Sequence, residues 1–345
     1  MVLTAEEVTS LLNNPDKAAE MANLRYVSED QLCIERKRTS KSFKFLKNGQ
    51  PLSDKEEVER LKKLVIPPAW ENVKICPFPN GHLQVTGIDA RSRKQYIYHP
   101  GWTEIRNQTK FYKMAAFGKM LPKIRKQVDE DLDLKGMPQR KVIALVIRLM
   151  EETHIRIGND CYAKQNKSYG LSTLRSRHVK ISKGKMKFSF IGKKGKEHSI
   201  SIRNKKLIKL VNRCEEIPGW EVFKYLDENG EKKVIDSGMV NRYIQEITGE
   251  LFSAKDFRTW GGTKIFFEKL REMEFPKTEK EKKSNILAAY DAAAEALGNT
   301  RSVCRSSYVH PRVVDLYETG EILLYFEKVE RKRSIKPHIS HTEEV

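Results

Sequence analysis

Four residues lying far apart in this chain are of the types needed to break and remake a phosphodiester. Arg156 sits in Thr153-His-Ile-Arg-Ile-Gly158, just past an apolar helical face. Lys193 sits in Gly192-Lys-Lys-Gly195, Arg258 in Lys255-Asp-Phe-Arg-Thr-Trp-Gly261, and Tyr308 in Ser306-Ser-Tyr-Val-His-Pro311. A phosphodiester is anionic, so a nucleophile reaches it only if the nonbridging oxygens are held and neutralised. Arginine suits that task, because its fixed fork of donors matches phosphate oxygens and stays charged at any working pH. Two arginines around one phosphate also favour ionising a tyrosine, whose ordinary pKa is about 10. The departing alkoxide needs a proton, which a lysine on a mobile tip can supply as general acid. A tyrosine nucleophile divides one strand break into two reversible transesterifications and needs no energy source. Taken singly, each residue is more often structural: an arginine along a helix, or a tyrosine packed among the last helical turns.

The elements that must position these residues follow from periodicity and turn chemistry. The first twenty-odd residues read as a short amphipathic helix. From Leu24 to about Pro100 short strands alternate with turns: Gln31-Leu-Cys-Ile-Glu-Arg36, Phe43-Lys-Phe-Leu46, Gln84-Val-Thr-Gly87 and Gln95-Tyr-Ile-Tyr98. Pro67-Pro68, Pro77 to Gly81 and Pro100-Gly101 punctuate them, and one helix is expected near Lys55 to Leu64. After Trp102 the pattern turns helical, which places a domain boundary between Arg106 and Gly118. Pro138 opens a helix with Val142, Leu145, Leu149 and Thr153 on one face. Three strands interrupt the helices: Arg177 to Ile181, Met186 to Ile191 and His198 to Ile202, the last two forming a hairpin whose tip bears Lys193. Helices resume from about Asn204. Asp256 is the expected N-cap of the helix carrying Arg258. A helix from Ser284 to Leu297 stops at Gly298, and Lys277 to Lys283 and Glu327 to Lys336 read as solvated loop and tail.

The sequence has 345 residues, 39% of them hydrophobic, enough for two globular domains of unequal size. Its 65 Lys and Arg against 46 Asp and Glu leave a formal charge of +19, which favours fast, salt-sensitive association with polyanions. The five cysteines form no CxxC and no metal-spaced pair with histidine, so neither a disulfide framework nor a zinc site is expected, and a reducing compartment is. The N-terminus lacks the pattern of a signal peptide, and the longest apolar run, Val142 to Ile147, is too short to span a bilayer. There is no GxxxxGK[ST] loop and no acidic cluster for two metals, so no nucleotide or metal cofactor is expected.

The order Arg, Lys, Arg, then a polar residue and Tyr on one motif, resembles the type IB DNA topoisomerases, in particular their small bacterial and poxvirus branch. Gly170-Leu-Ser-Thr-Leu-Arg-Ser-Arg-His178, with Arg156 upstream and Phe190-Ile-Gly-Lys193 downstream, matches the family's arginine and hairpin-lysine region. Lys255 to Gly261 matches its second arginine, and Leu297-Gly-Asn-Thr-Arg-Ser-Val-Cys-Arg-Ser-Ser-Tyr-Val-His-Pro311 its nucleophile motif. Gly87-Ile-Asp-Ala-Arg-Ser-Arg-Lys-Gln-Tyr-Ile-Tyr98 resembles its DNA-clamping β domain, so the likeness runs from about Leu24 to Asp315.

The resemblance implies an α+β protein: a small, mostly β N-terminal domain over residues 1–108 and a larger, mostly α catalytic domain over residues 109–345. The second domain carries a three-stranded β insertion and is similar to the catalytic fold of tyrosine recombinases. Arg156 and Arg258 would stabilise the pentavalent phosphorane, Lys193 would protonate the departing 5′ oxygen, and Tyr308 would form a 3′-phosphotyrosyl link. Asn299 stands where the poxvirus branch has histidine; its amide can bind a nonbridging oxygen but cannot transfer a proton. Gln95 and Tyr96 would face DNA, with Arg93 and Lys94 adding charge, while Tyr98 fits a β core equally well. Arg106 matches a phosphate-contacting arginine at the domain junction, and Tyr162 and Thr173 look like backbone-contacting hydroxyls. Lys194, acidic in the poxvirus branch, reads as a solvated or phosphate-facing charge, and Cys304 as small and apolar.

The implied activity is relaxation of supercoiled duplex DNA by a clamping monomer, without metal or ATP, in the cytoplasm of a bacterium where the nucleoid lies. Two rivals remain. A site-specific tyrosine recombinase usually carries histidine three residues before the second arginine, where this chain has Lys255. A basic DNA-binding protein without catalysis would have no use for Tyr308 at family spacing from Asn299.

Overall fold

The computed structural model describes residues 14–345 except 41, 91, 250, 251 and 333–335, and all their side chains but those of 107–109 and 112. Most of the expected N-terminal helix therefore lies outside the described residues; what is described is α1 (Pro15–Met21), capped by the Asn14 side chain. The chain divides into two compact units, residues 1–113 and 114–345.

The first unit is built on a six-stranded antiparallel sheet in the order β3-β2-β1-β4-β5-β6. Its strands are β1 (Ile34–Arg38), β2 (Phe43–Lys47), β3 (Gln50–Pro51), β4 (Glu71–Ile75), β5 (Leu83–Ile88) and β6 (Lys94–Tyr98). Alternation places Ile34, Phe45, Val73, Ile75 and Val85 on one apolar face, which Leu61 of α2 (Lys55–Lys63) covers. Two strands had no clear signal. β4 is short, mostly exposed and crowded by Pro67, Pro68 and Trp70, and β3 has only two residues.

A single helix, α3 (Pro100–Leu132), contains the division between the units. The second unit is mostly helical and gathers around α4 (Gln139–Thr153). Val142 to Ile147 are all buried, and even Lys141 is covered, its Nζ donating to the Leu134 carbonyl at 2.5 Å. The expected one-sided stripe is thus widened: Lys141 to Ile147 are all covered, as a continuous apolar run favours, while Gln139, Arg140 and Glu152 stay exposed. Then come α5 (Asp160–Asn166) and the three-stranded antiparallel sheet of β7 (Val179–Ser182), β8 (Lys185–Ile191) and β9 (Glu197–Ile202). Met186, Phe188 and Phe190 alternate inward from β8 onto the α4 core.

Past α6 (Lys205–Glu215) a second hairpin, β10 (Lys224–Leu226) with β11 (Lys232–Val234), replaces the uninterrupted helices expected there. It is followed by α7 (Ser237–Thr248) and α8 (Ala254–Glu272), then α9 (Glu279–Leu297), α10 (Arg301–Ser307), α11 (Pro311–Thr319), α12 (Ile322–Arg331) and α13 (His341–Glu344).

Three local expectations are corrected. The N-cap of α8 is Ser253, not Asp256; Asp256 occupies the third helical position and its carboxylate accepts from Ser253 N at 2.8 Å and Oγ at 3.0 Å. The helix consequently starts early enough to include Lys255. Residues 279–283 are the first turn of α9 rather than loop, because Thr278 and Glu281 form a reciprocal capping box there. Outside 333–335, which are not described, the C-terminal charges are partly solvated but are not simply loop and tail; Arg331 and Glu327 stay more than half exposed. Glu327 to Arg331 complete α12, and Lys332 and Lys336 both pair with Glu344 at 2.5 Å. Glu343 is buried against Arg125, Trp260 and Lys264.

Candidate active site

The second unit brings Arg156, Lys193, Arg258, Asn299 and Tyr308 together. α4 ends at His154, whose left-handed backbone turns the chain sharply. Arg156 follows in an extended segment clamped by backbone bonds from Leu171 N to its carbonyl (2.8 Å) and from Ser172 N to Ile157 O (2.7 Å). Its guanidinium donates to the Asn299 side-chain oxygen. That bond occupies the acceptor of Asn299 and leaves Nδ2 buried without a hydrogen-bond partner.

Arg258 is only 3% exposed on α8. It donates to the carbonyls of His154 and of Leu297, the latter at 2.8 Å, while its Nε is buried and unpaired. The two carbonyls fix the guanidinium between the ends of α4 and α9. The orphaned Nε and the orphaned Asn299 amide are donors in want of an acceptor, which an anionic oxygen would satisfy.

Tyr308 caps the C-terminus of α10, its N–H donating to Cys304 O at 2.9 Å. Its carbonyl accepts from Thr263 Oγ1 of α8 at 3.1 Å. Gly262 permits this approach: a Cβ there would lie 3.0 Å from the Tyr308 carbonyl oxygen and 2.9 Å from a Leu297 methyl. The Arg258 guanidinium carbon stands 5.2 Å from the centre of the Tyr308 ring. Burial alone would raise the phenol's pKa, but Arg258, Arg156 and Lys255 outweigh it and hold the phenol below its ordinary range.

Lys193 is exposed at the tip of the β8–β9 hairpin and makes no hydrogen bond or ion pair among the described residues. Its crowded surroundings, and then Arg156, lower its ammonium pKa, against the opposing effect of Tyr308. A lysine so placed gives up its proton more readily than one on an open surface. Lys196, from the same tip, donates to the Asn299 carbonyl at 3.3 Å. Two histidines border the pocket. Burial, then the neighbouring cations (Arg258 and Lys264 for His154; Arg156, Arg258 and Lys196 for His198), hold both imidazoles at about 4, so both are neutral near pH 7.

The residues singled out for DNA contact fall into different surroundings. In the first unit, Tyr96 is 42% exposed and stacks on Tyr98, with ring centres 6.0 Å apart. Lys94 is exposed and paired with Glu29. Arg93 and Gln95 both bind Asp89, Gln95 Nε2 at 3.0 Å. Arg106 is exposed on α3. In the second unit, Tyr162 is half exposed on α5. Thr173 is not on the surface: it is buried, and its hydroxyl is spent on Gly170, accepting from the amide at 2.9 Å and donating to the carbonyl at 3.0 Å. That turn braces the backbone around Arg156, so Thr173 supports the pocket from behind. Cys304 is buried, and burial raises its thiol pKa, as expected of a packing residue.

Sequence reasoning gave no role in the site to three neighbours. Lys255 is one helical turn before Arg258 and therefore on its face, a spacing that could have revealed it. Thr263 and His198 act through contacts with residues distant in sequence, for which the chain carries no local signal.

The second unit is thus a helical body with a three-stranded insertion that presents a cation-flanked tyrosine beside unsatisfied donors. Residues 99–333 match the family described as "Eukaryotic DNA topoisomerase I, catalytic core", and residues 42–89 match "Bacterial DNA topoisomerase IB, N-terminal domain". The chain is 35% identical over 285 residues to "DNA topoisomerase 1B" of Acanthamoeba polyphaga mimivirus, covering 81% of this chain and 84% of that protein. It is 25% identical to "DNA topoisomerase 1" of Rabbit fibroma virus (strain Kasza), over 66% of this chain and 70% of that protein. It is 20% identical to "DNA topoisomerase 1B" of Vaccinia virus (strain Copenhagen), over 69% and 73%. The chain belongs to the type IB DNA topoisomerase family and is accordingly an isomerase with the α+β fold of that family. Among the described residues no helix is long and apolar enough to cross a membrane.

Proposed function

We propose that this protein relaxes supercoiled duplex DNA by cutting and resealing one strand through Tyr308. The Tyr308 phenol first gives its proton to water, and the phenolate Oη then bonds to phosphorus. The bond from phosphorus to the 5′ oxygen breaks, and that oxygen takes a proton from Lys193, leaving a 3′-phosphotyrosyl link and a free 5′ hydroxyl. Arg156, Arg258 and Asn299 bind the nonbridging oxygens and stabilise the pentavalent state. After the strand swivels, the same steps run backwards, and neither ATP nor a metal ion enters either direction. The observation that carries this reading is the pair of buried, unpartnered donors, Arg258 Nε and Asn299 Nδ2, in the pocket of a tyrosine whose phenol pKa the nearby cations lower.

In this reading residues 1–108 serve as the DNA-clamping domain and 109–345 as the catalytic one. The protein works as a monomer on DNA, in the cytoplasm of a bacterium. Tyr96, Lys94 and Arg106 reach DNA from the first unit and Tyr162 from the second; Arg93 and Gln95 shape that surface through Asp89. The test is relaxation of supercoiled plasmid in EDTA without ATP, with Tyr308→Phe in parallel. Relaxation by the parent and none by the variant is expected. No relaxation by the parent, or full relaxation by the variant, defeats the proposal.

A further inference from the structure

The tip bearing Lys193 and the turn bearing Asn299 meet through a side chain with no part in the chemistry above. His198 lies opposite Phe190 in the β8–β9 register and stacks on it, ring centres 4.9 Å apart and planes within 9°. The edges of the imidazole face two glycines. A Cβ on Gly192 would come within 2.7 Å of its Cδ2 and Nε2, and one on Gly298 would collide with Cε1 and lie 3.1 Å from Nδ1. Gly192 immediately precedes Lys193, and Gly298 immediately precedes Asn299. Gly298 also needs its left-handed backbone (φ 59°) to close α9. The ring therefore fills the space between the backbone that carries the proton donor and the backbone that carries the oxygen binder.

We propose that His198 is a positioning residue for strand cleavage, a flat wedge that seats the Lys193 tip on the Gly298–Asn299 turn. The proposal rests on the reading of Lys193 as general acid. Besides this wedge, the exposed bond from Lys196 Nζ to the Asn299 carbonyl ties tip to turn, and a solvated bond of that kind constrains little. Neutrality suits the part. With Arg156, Arg258 and Lys196 around it, a charged ring would add to the repulsion, and burial already keeps the imidazole uncharged. The wedge acts by shape, so its nitrogens are dispensable.

The test is single-turnover formation of the covalent complex on duplexes with either a 5′-bridging oxygen or a 5′-bridging sulfur at the cleavage site. Wild type, His198→Ala, His198→Phe and Lys193→Ala are compared, with melting curves for each. A displacement of about 1 Å at a catalytic group costs on the order of a hundredfold, so His198→Ala should slow oxygen-substrate cleavage roughly tenfold to a hundredfold. It should lose far less on sulfur, because a thiolate departs without a proton. His198→Phe, which keeps a flat ring on Phe190, should stay near wild type on both. If His198→Ala fails to fold, Gly192→Ala replaces it, since its Cβ would push the tip off the ring and produce the same split. Equal loss on the two substrates would overturn the proposal, as would a His198→Phe variant as slow as His198→Ala. A Lys193→Ala variant that sulfur does not rescue would show a separate failure, removing the acid and the wedge's purpose with it.

Discussion

Replacing Arg258 with methionine separates the two tasks assigned to this side chain, holding the pocket together and holding the phosphate. The guanidinium is 3% exposed and donates to the carbonyls of His154 and Leu297. Methionine fills a similar volume but donates nothing, so two buried carbonyl oxygens lose their partners at roughly 1–3 kcal/mol each. Part of that is offset because a buried cation no longer has to be desolvated. A net loss of about 2 kcal/mol is expected, a fall in melting temperature of roughly 4–8 °C for a unit of this size. Catalysis should suffer more. Removing one preorganised donor from a developing oxyanion costs roughly a hundredfold to a thousandfold in rate, about 3–4 kcal/mol.

The two effects part in the assay. Covalent-complex formation is followed in single turnover at 20 °C below the variant's melting temperature, where a folding defect contributes nothing to the rate. The pH profile adds a second readout. Arg258 is foremost among the cations holding the Tyr308 phenol below its ordinary range. The phenolate is the attacking form, so the wild-type rate rises with pH through the phenol's pKa. Without Arg258 that rise should move to higher pH. A folded variant that cleaves within tenfold of wild type, or one whose profile keeps its place, would refute the assignment of Arg258 to the phosphate and the phenol.

Other expectations concern the rest of the molecule. Glu343 is held well below the usual carboxylate range by Arg125, which outweighs its burial, so its stabilisation is full above about pH 4.3, the unfolded value, and is lost as pH falls below it. Glu343→Gln should cost roughly 3 kcal/mol at pH 7, and a gap from wild type that stays constant down to pH 2 would contradict the pairing. His198, at about 4 against about 6.5 unfolded, is a base depressed by folding: the unfolded chain binds the extra proton, so stability falls as pH drops from about 6.5 toward 4. Thermal melts of His198→Phe should show that acid loss reduced by about 3 kcal/mol, and an unchanged acid limb would count against a neutral ring. Lys94 gives up only an exposed pair with Glu29, worth about 0–1 kcal/mol; Lys94→Ala should weaken DNA binding evenly across sequences and reduce the salt slope by about 1. Thr173→Ala, by contrast, should leave that slope alone and lower the cleavage rate, because its hydroxyl braces the Arg156 loop; a changed slope would put Thr173 on the DNA surface after all.

What could be read in advance, and what could not, divides along a physical line. Arg156 and Arg258 stood out because each sets among apolar neighbours a cation too costly to bury without purpose, and that cost is written in sequence; Tyr308 stood out only by its spacing from Asn299 and the company of those cations. Lys193 stood out because Gly192 and Gly195 mark a turn that throws it outward. The reach of α8 back to Ser253, the first turn of α9 and the docking of Glu343 were hidden. Each depends on a partner that makes a charged stretch worth ordering, and charge runs without visible partners look solvated. Thr173 shows the converse: a hydroxyl in a motif suggests a surface contact, yet a bond to Gly170 three residues away turns it inward. His198 is the extreme case, since nothing in Glu197-His-Ser-Ile200 hints at it. Its place is set by two glycines, one six residues before it and the other a hundred residues after, whose absent side chains leave the room it fills. A pocket that must hold a phosphate needs cations, and cations so close repel one another. The spaces between them therefore have to be filled by neutral, rigid groups, and a histidine kept uncharged by its neighbours is one that the same cations help to maintain.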